Sequence, residues 1–399
     1  MKNALQTLIQ FPLYLVSGIV PRKKNRIVFG AWKGARYADN SKSMLEYLLK
    51  RTELELIWCG NKIIENEVPS AHNVIFVKRG SWKAMYYALT SKYAFITHSY
   101  RDIANVNLLK GAVTTQLWHG IGIKNIGVLG SNNKQSTLVG RIRLMDRVLR
   151  AILRYDFFIC SSEMNKERNM IVFKSKGMTS SNCICSGQPR NDVLLSRNES
   201  LVEQIRDRFY KKYGIPKNKK IITYLPTYRK NPNDRFSFSG VSLQSDIFHI
   251  LETNNAILIE KAHGFDYLRG TEKDKQNNKF VYDLSNFNDI DTQELLLLTD
   301  ILITAYSSCY LDYTLLDRPI IHFAHDYQKY IEEHGLYYDL DEIAGGKVVY
   351  SFDQLVTEVE NSIHSPDSNA HQRKQVRRMM MEYESGNSCE RISKVIGIS

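Results

Sequence analysis

The chain has 399 residues, 43% hydrophobic and 24% charged, which excludes a disordered polymer and exceeds what a single core usually organises. Its 54 Lys and Arg against 42 Asp and Glu leave a formal charge of +12, favouring phosphate-bearing or anionic-surface partners without choosing among them. The six cysteines, at 59, 160, 183, 185, 309 and 389, include no CxxC pair; they read as reduced core residues and imply a reducing cytosol.

In chain order, residues 1–25 come first. Their apolar stretch is broken by Gln6, Gln10, Pro12 and Ser17, and it falls short of the roughly 20 residues of a spanning helix. No A-x-A-like cleavage site precedes "RIVFGAW". The segment is expected to lie in a membrane surface, with Arg22, Lys23, Lys24 and Arg26 meeting anionic headgroups. Strands are then predicted at 26–32, 54–60, 73–78, 93–99, 113–120, 155–162 and 182–187, mostly continuous apolar runs of the kind that helices cover on both faces. Between the first two lies a helical pattern over 40–51, with Ser41 placed to cap its first turn. After the turn-rich "YKKYGIPKNKK" the pattern restarts, with strands at 221–228, 255–264, 280–285, 300–308 and 319–326. Two βαβ series in tandem predict an α/β protein of two doubly wound, Rossmann-type sheets. The domains are set at 26–195 and 196–399, the second carrying a C-terminal helix. Ligands of such sheets sit at the carboxyl ends of the strands.

The glycines form neither a G-x-G-x-x-G fingerprint nor a P-loop, and no aromatic residues interleave with a basic sheet face. Dinucleotide, NTPase and nucleic-acid readings are therefore weak. Four motifs fall at predicted strand ends. "TTQLWHGIGIK" brings His119, a ring suited to take a proton from a hydroxyl, and Lys124, a cation for an anionic group. "YLPTYRK" brings Arg229, a fork that can grip phosphate bidentately. "IEKAHG" brings His263, and "ITAYSSCYLDY" brings Ser307, Ser308 and Asp312 where a strand gives way to a helix, a setting that cradles phosphate. Taken singly, His119 also reads as a packing residue and Ser307 as a plain helix cap.

Taken together, "WHGIGIK", "SSE" (161–163), "GQPRND" (187–192), "YLPTYR", "AHG", "TDILITAYSSCYLDYTLLDRPIIHF" and "GLYYDL" (335–340) resemble, in order, the CDP-glycerol glycerophosphotransferase family of teichoic-acid and capsule synthesis. The resemblance runs from about residue 26 to about 360 and implies a fold similar to the GT-B glycosyltransferases. It implies attack of an acceptor hydroxyl on the β-phosphorus of CDP-glycerol or CDP-ribitol, with release of CMP. His119 then looks like the base and His263 like the histidine on the transferred phosphate. Arg229, Ser307 and Ser308 match positions around the pyrophosphate, and Asp312 one near the nucleotide. Two departures stand out: Ala305 where the family often has Asp, and Gln188 where it often has Tyr. No cofactor is called for, and a divalent ion stays open, with "DLDE" (339–342) the weak candidate site.

The family's acceptors are undecaprenyl-linked, which implies a peripheral enzyme on the cytoplasmic face of the membrane. "RIRLMDRVLRAILRY" (141–155) fits an interfacial helix, with Arg143, Arg147, Arg150 and Arg154 on one stripe and apolar residues filling the rest. The C-terminal run 372–384 is expected to be a helix packed back across the domains. Competing readings are a GT-B glycosyltransferase using a nucleotide sugar and a non-catalytic member of a polymer-synthesis complex.

Overall fold

The computed structural model describes residues 2–125, 154–229, 231, 234–262, 279–287 and 289–398. They form two compact units. The first comprises the described parts of 1–120, 126–192 and 383–399, and the second comprises 121–125 and the described parts of 193–382.

The first unit is built on a seven-stranded sheet ordered β3-β2-β1-β4-β5-β6-β7. Its strands are β1 (Lys23–Gly30), β2 (Glu55–Gly60), β3 (Val74–Lys78), β4 (Ser91–Ile96), β5 (Val113–Gln116), β6 (Phe157–Cys160) and β7 (Cys183–Cys185). Every pairing is parallel. Alternation along the strands supplies two cores. Val28, Ile57, Cys59 and Ile96 pack with Ala84 and Ala88 of the helix Trp82–Thr90. Ile27, Phe29, Trp58 and Phe95 face the other way, against Met44, Leu45 and Leu48 of the helix Asp39–Leu48. Both faces being covered is why these strands read as apolar runs.

The second unit repeats the plan with six strands, β8 (Lys220–Leu225), β9 (Ala256–Glu260), β10 (Val281–Asp283), β11 (Ile301–Thr304), β12 (Ile320–Phe323) and β13 (Lys347–Val349). The order β10-β9-β8-β11-β12-β13 is all parallel. Its core joins Ile222, Leu258, Ile303 and Ile321 to Ile247 and Leu251 of the helix Asp246–Thr253 and to Leu355 and Val359 of the helix Phe352–His364. In both sheets the direction of winding reverses beside the first strand, at β1/β4 and at β8/β11. The crevices at those carboxyl ends are where ligands of doubly wound sheets bind.

Several expectations change. β13 was not foreseen, because three residues between a Gly pair and an exposed tyrosine give too little pattern. The strand expected over 113–120 stops at Gln116, since Trp118 turns into the left-handed region at φ 54. Ser41 lies inside its helix and donates to the Gly30 carbonyl at 2.9 Å, while Ala38 occupies the cap position. The unit boundary falls at 192/193 rather than 195/196. The C-terminal residues divide: the helix Ala370–Met380 stays in the second unit, and the helix Ser388–Ile396 buries Cys389, Ile392 and Ile396 in the first. Two of the four basic residues assigned to lipid are committed internally. Arg22 donates to the carbonyls of Ala88, Ser91, Ser17 and Leu108, and Arg26 pairs with Glu55 at 2.8 Å.

Candidate active site

Three segments meet at the switch point of the first sheet. β1 runs into Trp32 and Lys33, both at positive φ, and Asp39 opens its helix at φ 62. Gly30 is needed here, because a β-carbon on it would sit 2.5 Å from the Asp102 carbonyl oxygen. β4 ends at Thr97–His98, where the buried Asp102 carboxylate accepts from the amides of Thr97, His98 and Lys33. β5 ends at Trp118–His119. Four non-glycine residues in left-handed conformations converge on one site, the kind of strain that persists when the surroundings overdetermine it.

His119 is partly exposed. Its Nδ1 lies 3.1 Å from the Thr97 carbonyl oxygen, an atom that can only accept, so Nδ1 carries the proton and Nε2 keeps a lone pair. Nε2 has no partner among the described residues. The ring stacks with Trp118 at 4.4 Å and with His98 at 4.2 Å. Burial, aided by His98 and opposed by Asp39, brings its pKa down to about 4, so the free base dominates at neutral pH. Asp39 accepts from Arg190 Nη1 at 2.8 Å and from the Trp32 indole, and Arg190 also donates to the His119 carbonyl at 3.1 Å. Burial pushes the Asp39 carboxyl up, but Arg190 and His119 outweigh it and hold it below the usual range. Gln188 fits without strain: its amide takes a hydrogen bond from Asn40 and donates to Ser161 Oγ, while Asn40 holds the Leu117 carbonyl.

At the switch point of the second sheet, Arg229 follows β8 and the turn Tyr306–Ser308 follows β11. The open fork expected of Arg229 is already filled. Nε and Nη2 bond the two oxygens of Asp326 at 2.7 and 2.9 Å, Nη1 reaches the Thr227 carbonyl, and the guanidinium lies over Tyr306 and Tyr330. Burial depresses the charged form of Arg229, and the Asp326 bond more than restores it. The pair braces the turn, since Tyr306 donates its hydroxyl to Asp326 at 3.1 Å and its amide to Thr227 Oγ1 at 2.8 Å. Ala305 is buried in a cluster with Tyr306, Ala324 and Leu340, and its carbonyl faces His322 Nδ1 at 2.9 Å.

Ser307 and Ser308 are partly exposed, and neither hydroxyl has a partner among the described residues. The helix they precede, Cys309–Tyr313, is one turn long, with Ser308 at its cap position. Asp312 is buried within it and accepts from Gln293 Nε2 at 3.1 Å, so it holds the turn from behind. Lys124 belongs to this unit through an isolated bridge with Leu336, and its ammonium lies 5.5 Å from the Tyr330 ring centre. Burial and then the Arg229 charge bring its pKa down to about 8.

His263, Arg143, Arg147 and Arg150 lie outside the described residues, while Arg154 is exposed on the first unit. Among the described residues no three His, Cys, Asp or Glu side chains form a metal-binding group, and Asp339 of "DLDE" accepts from the Asp341 amide as a helix cap. The sequence reading gave no role to Asp39, His98, Arg190 or Asp326. His98 carried the one available signal, a histidine at the end of a predicted strand.

Comparison with known proteins matches residues 13–397 to the model of the CDP-Glycerol:Poly(glycerophosphate) glycerophosphotransferase family. A teichoic acid poly(glycerol phosphate) polymerase of Bacillus spizizenii is 29% identical over 362 residues, covering 88% of this chain and 86% of that protein. A teichoic acid glycerol-phosphate transferase of Staphylococcus aureus is 28% identical over 99% of both chains. Among solved structures, the wall teichoic acid polymerase TagF superposes with a TM-score of 0.76 at 22% identity, covering 100% of this chain and 98% of that one. A UDP-GlcNAc 2-epimerase from Neisseria meningitidis shares the fold more distantly, with a TM-score of 0.54 at 12% identity over 94% of this chain and 100% of that one. With the motifs in order and the family model spanning almost the whole length, the chain belongs to the CDP-glycerol:poly(glycerophosphate) glycerophosphotransferase family, and it is an enzyme of that transferase type.

Proposed function

We propose that the chain transfers glycerol phosphate, or the related ribitol phosphate, from a CDP-activated donor to a hydroxyl of an undecaprenyl-linked glycan or a growing teichoic-acid or capsule-type polymer. The acceptor O–H gives its proton to His119 Nε2, the acceptor oxygen bonds the β-phosphorus, and the bond to CMP breaks. The observation that supports this reading is the Thr97 carbonyl bond, which leaves the Nε2 lone pair to take the acceptor proton. On the donor side, the Ser307 and Ser308 hydroxyls and the Lys124 ammonium are the groups offered to the diphosphate, with Arg229 and Asp312 holding the turn. Phosphoryl transfer needs positioning and charge stabilisation rather than a covalent step, and these groups supply both. Relatives named for glycerol phosphate and for ribitol phosphate support either donor.

The same reading sets the enzyme on the cytoplasmic face of the membrane. No helix among the described residues is long and apolar enough to cross a bilayer. The N-terminal helix Lys2–Ser17 and the turn after it leave Leu13, Leu15, Val16 and Ile19 exposed, Ile19 at 82%, next to exposed Lys23 and Lys24. Exposed apolar side chains close in sequence to cations suit anionic lipid. Replacing Leu15 and Ile19 with Ser should weaken co-sedimentation with phosphatidylglycerol vesicles; undiminished binding would detach this helix from the proposal.

The decisive experiment is calorimetry with CDP-glycerol, CDP-ribitol, UDP-GlcNAc and GDP-mannose, followed by product analysis with a lipid-linked acceptor. A CDP-polyol is expected to bind and to yield CMP with an extended acceptor. Binding confined to a nucleotide sugar would replace the reading with a glycosyltransferase.

A further inference from the structure

The proton-transfer reading uses one imidazole at the end of the first sheet, yet the fold builds two there. His98 and His119 stack almost parallel, 8° apart with ring centres at 4.2 Å, and Trp118 stacks on His119 at 4.4 Å. Two rings that close cannot share one face of a third, so His119 is clamped between them. Trp32 walls the pair, 5.0 Å from His98 and 6.2 Å from His119. Thr97 registers both imidazoles: its carbonyl meets His119 Nδ1 at 3.1 Å and its hydroxyl meets His98 Nδ1 at 2.9 Å. The Asp102 carboxylate fixes this turn through the Thr97 and His98 amides.

We propose that His98 is a positioning residue for His119: it clamps the ring in the orientation that presents Nε2, and it keeps the pair from holding more than one proton. The proposal rests on His119 being the base. Two imidazolium rings at this spacing would repel strongly, so a proton on either ring opposes one on the other. Among the described residues, charged groups act on or beside the pair. Asp39, from the helix Asp39–Leu48, favours a proton on either ring. Arg190, from the turn Pro189–Val193, opposes one on His119, and Lys33, from the turn Trp32–Gly34, opposes one on His98. Arg36 sits over the far wall, 5.6 Å from the Trp32 ring. Asp102 is occupied by backbone amides.

During transfer His119 Nε2 takes the acceptor's proton as the new O–P bond forms. The resulting imidazolium faces the Asp39 carboxylate, the Thr97 carbonyl and a neutral His98. Release of that proton to water after CMP leaves restores the starting state. A second neutral ring thus lets the base accept a proton only at the moment of reaction.

The test compares wild type, His98→Phe, His98→Gln and His119→Ala in CMP release against pH, with donor affinity measured by calorimetry. Phe keeps the stacked wall and the dryness but cannot be charged. Its acid limb of kcat/KM should move up by about one pH unit with donor Kd unchanged. Gln loses the stack and should lower kcat about tenfold at neutral pH. A His98→Phe profile that superimposes on wild type, with His119→Ala inactive, overturns the role of His98 alone. An active His119→Ala overturns the base reading beneath it. Should the His98 variants fail to fold, ¹⁵N imidazole spectra of the wild-type protein decide. One Nδ1–H tautomer at His119 and a single shared proton uptake on acidification are expected, and two independent titrations near the ordinary histidine range overturn the proposal.

Discussion

The switch points of the two sheets occupy equivalent places and solve different problems. At β1/β4 the chain gathers neutral histidines, indoles and strained backbone, with burial and stacking setting the protonation state. At β8/β11 it gathers a paired arginine and aspartate, stacked tyrosines and two serine hydroxyls without a partner among the described residues. Under the proposed function, the first end handles a proton and the second seats an anion. The contrast teaches that a strand order fixes where a site forms and says little about its chemistry, which follows from whether charges there are neutralised by partners or suppressed by desolvation.

The contrast breaks most decisively at His119. His119→Ala should lower the rate of CMP release by about 10²- to 10⁴-fold while leaving CDP-glycerol affinity nearly unchanged. Equal losses in both would mean that this end also holds the donor. Asp326→Ala should cost roughly 3–5 kcal/mol of stability in urea unfolding, because it strands a buried guanidinium. A variant as stable as wild type but weaker for donor would return Arg229 to direct phosphate contact.

Acidity sharpens the comparison further. His98 and His119 sit at about 4 in the folded chain, whereas an unfolded histidine titrates near 6.5. Between those values the unfolded chain binds more protons, so stability is full above about 6.5 and is lost as pH falls toward 4, by at most roughly 2 kcal/mol per ring at pH 5. Unfolding midpoints at pH 7 and pH 5 measure the slope, which His98→Phe should make shallower. The Arg229–Asp326 pair adds nothing in that window, because Asp326 is held below the usual carboxylate range. The smallest effect belongs to the serines. Ser307→Ala or Ser308→Ala should each weaken donor binding by about 1 kcal/mol, roughly fivefold, with no change in the pH profile.

Much of this was legible in the chain. Apolar runs such as "AILIE" and "DILIT" announced buried parallel strands, and the histidine after "TTQLW" announced a strand-end ring. The position of Arg229 was legible but its pairing was not, because its partner Asp326 lies 97 residues away and no local pattern joins them. Asp39 and Arg190 were invisible for the same reason, being 151 residues apart. Residues 383–399 fall within the span set for the second domain yet belong to the first unit, because amphipathic spacing shows that a face is apolar without showing which core it fills.

The two βαβ series, the strand ends and the kinds of side chain placed there follow from the order of residues, since these depend on periodicity and on neighbours along the chain. Which partners those groups meet emerges from the fold in three dimensions. Whether Arg229 meets a phosphate or a carboxylate, which nitrogen of His119 keeps its lone pair, and that a second imidazole lies against it all depend on contacts between distant segments. In a desolvated crevice such contacts, more than residue identity, set charge and reactivity.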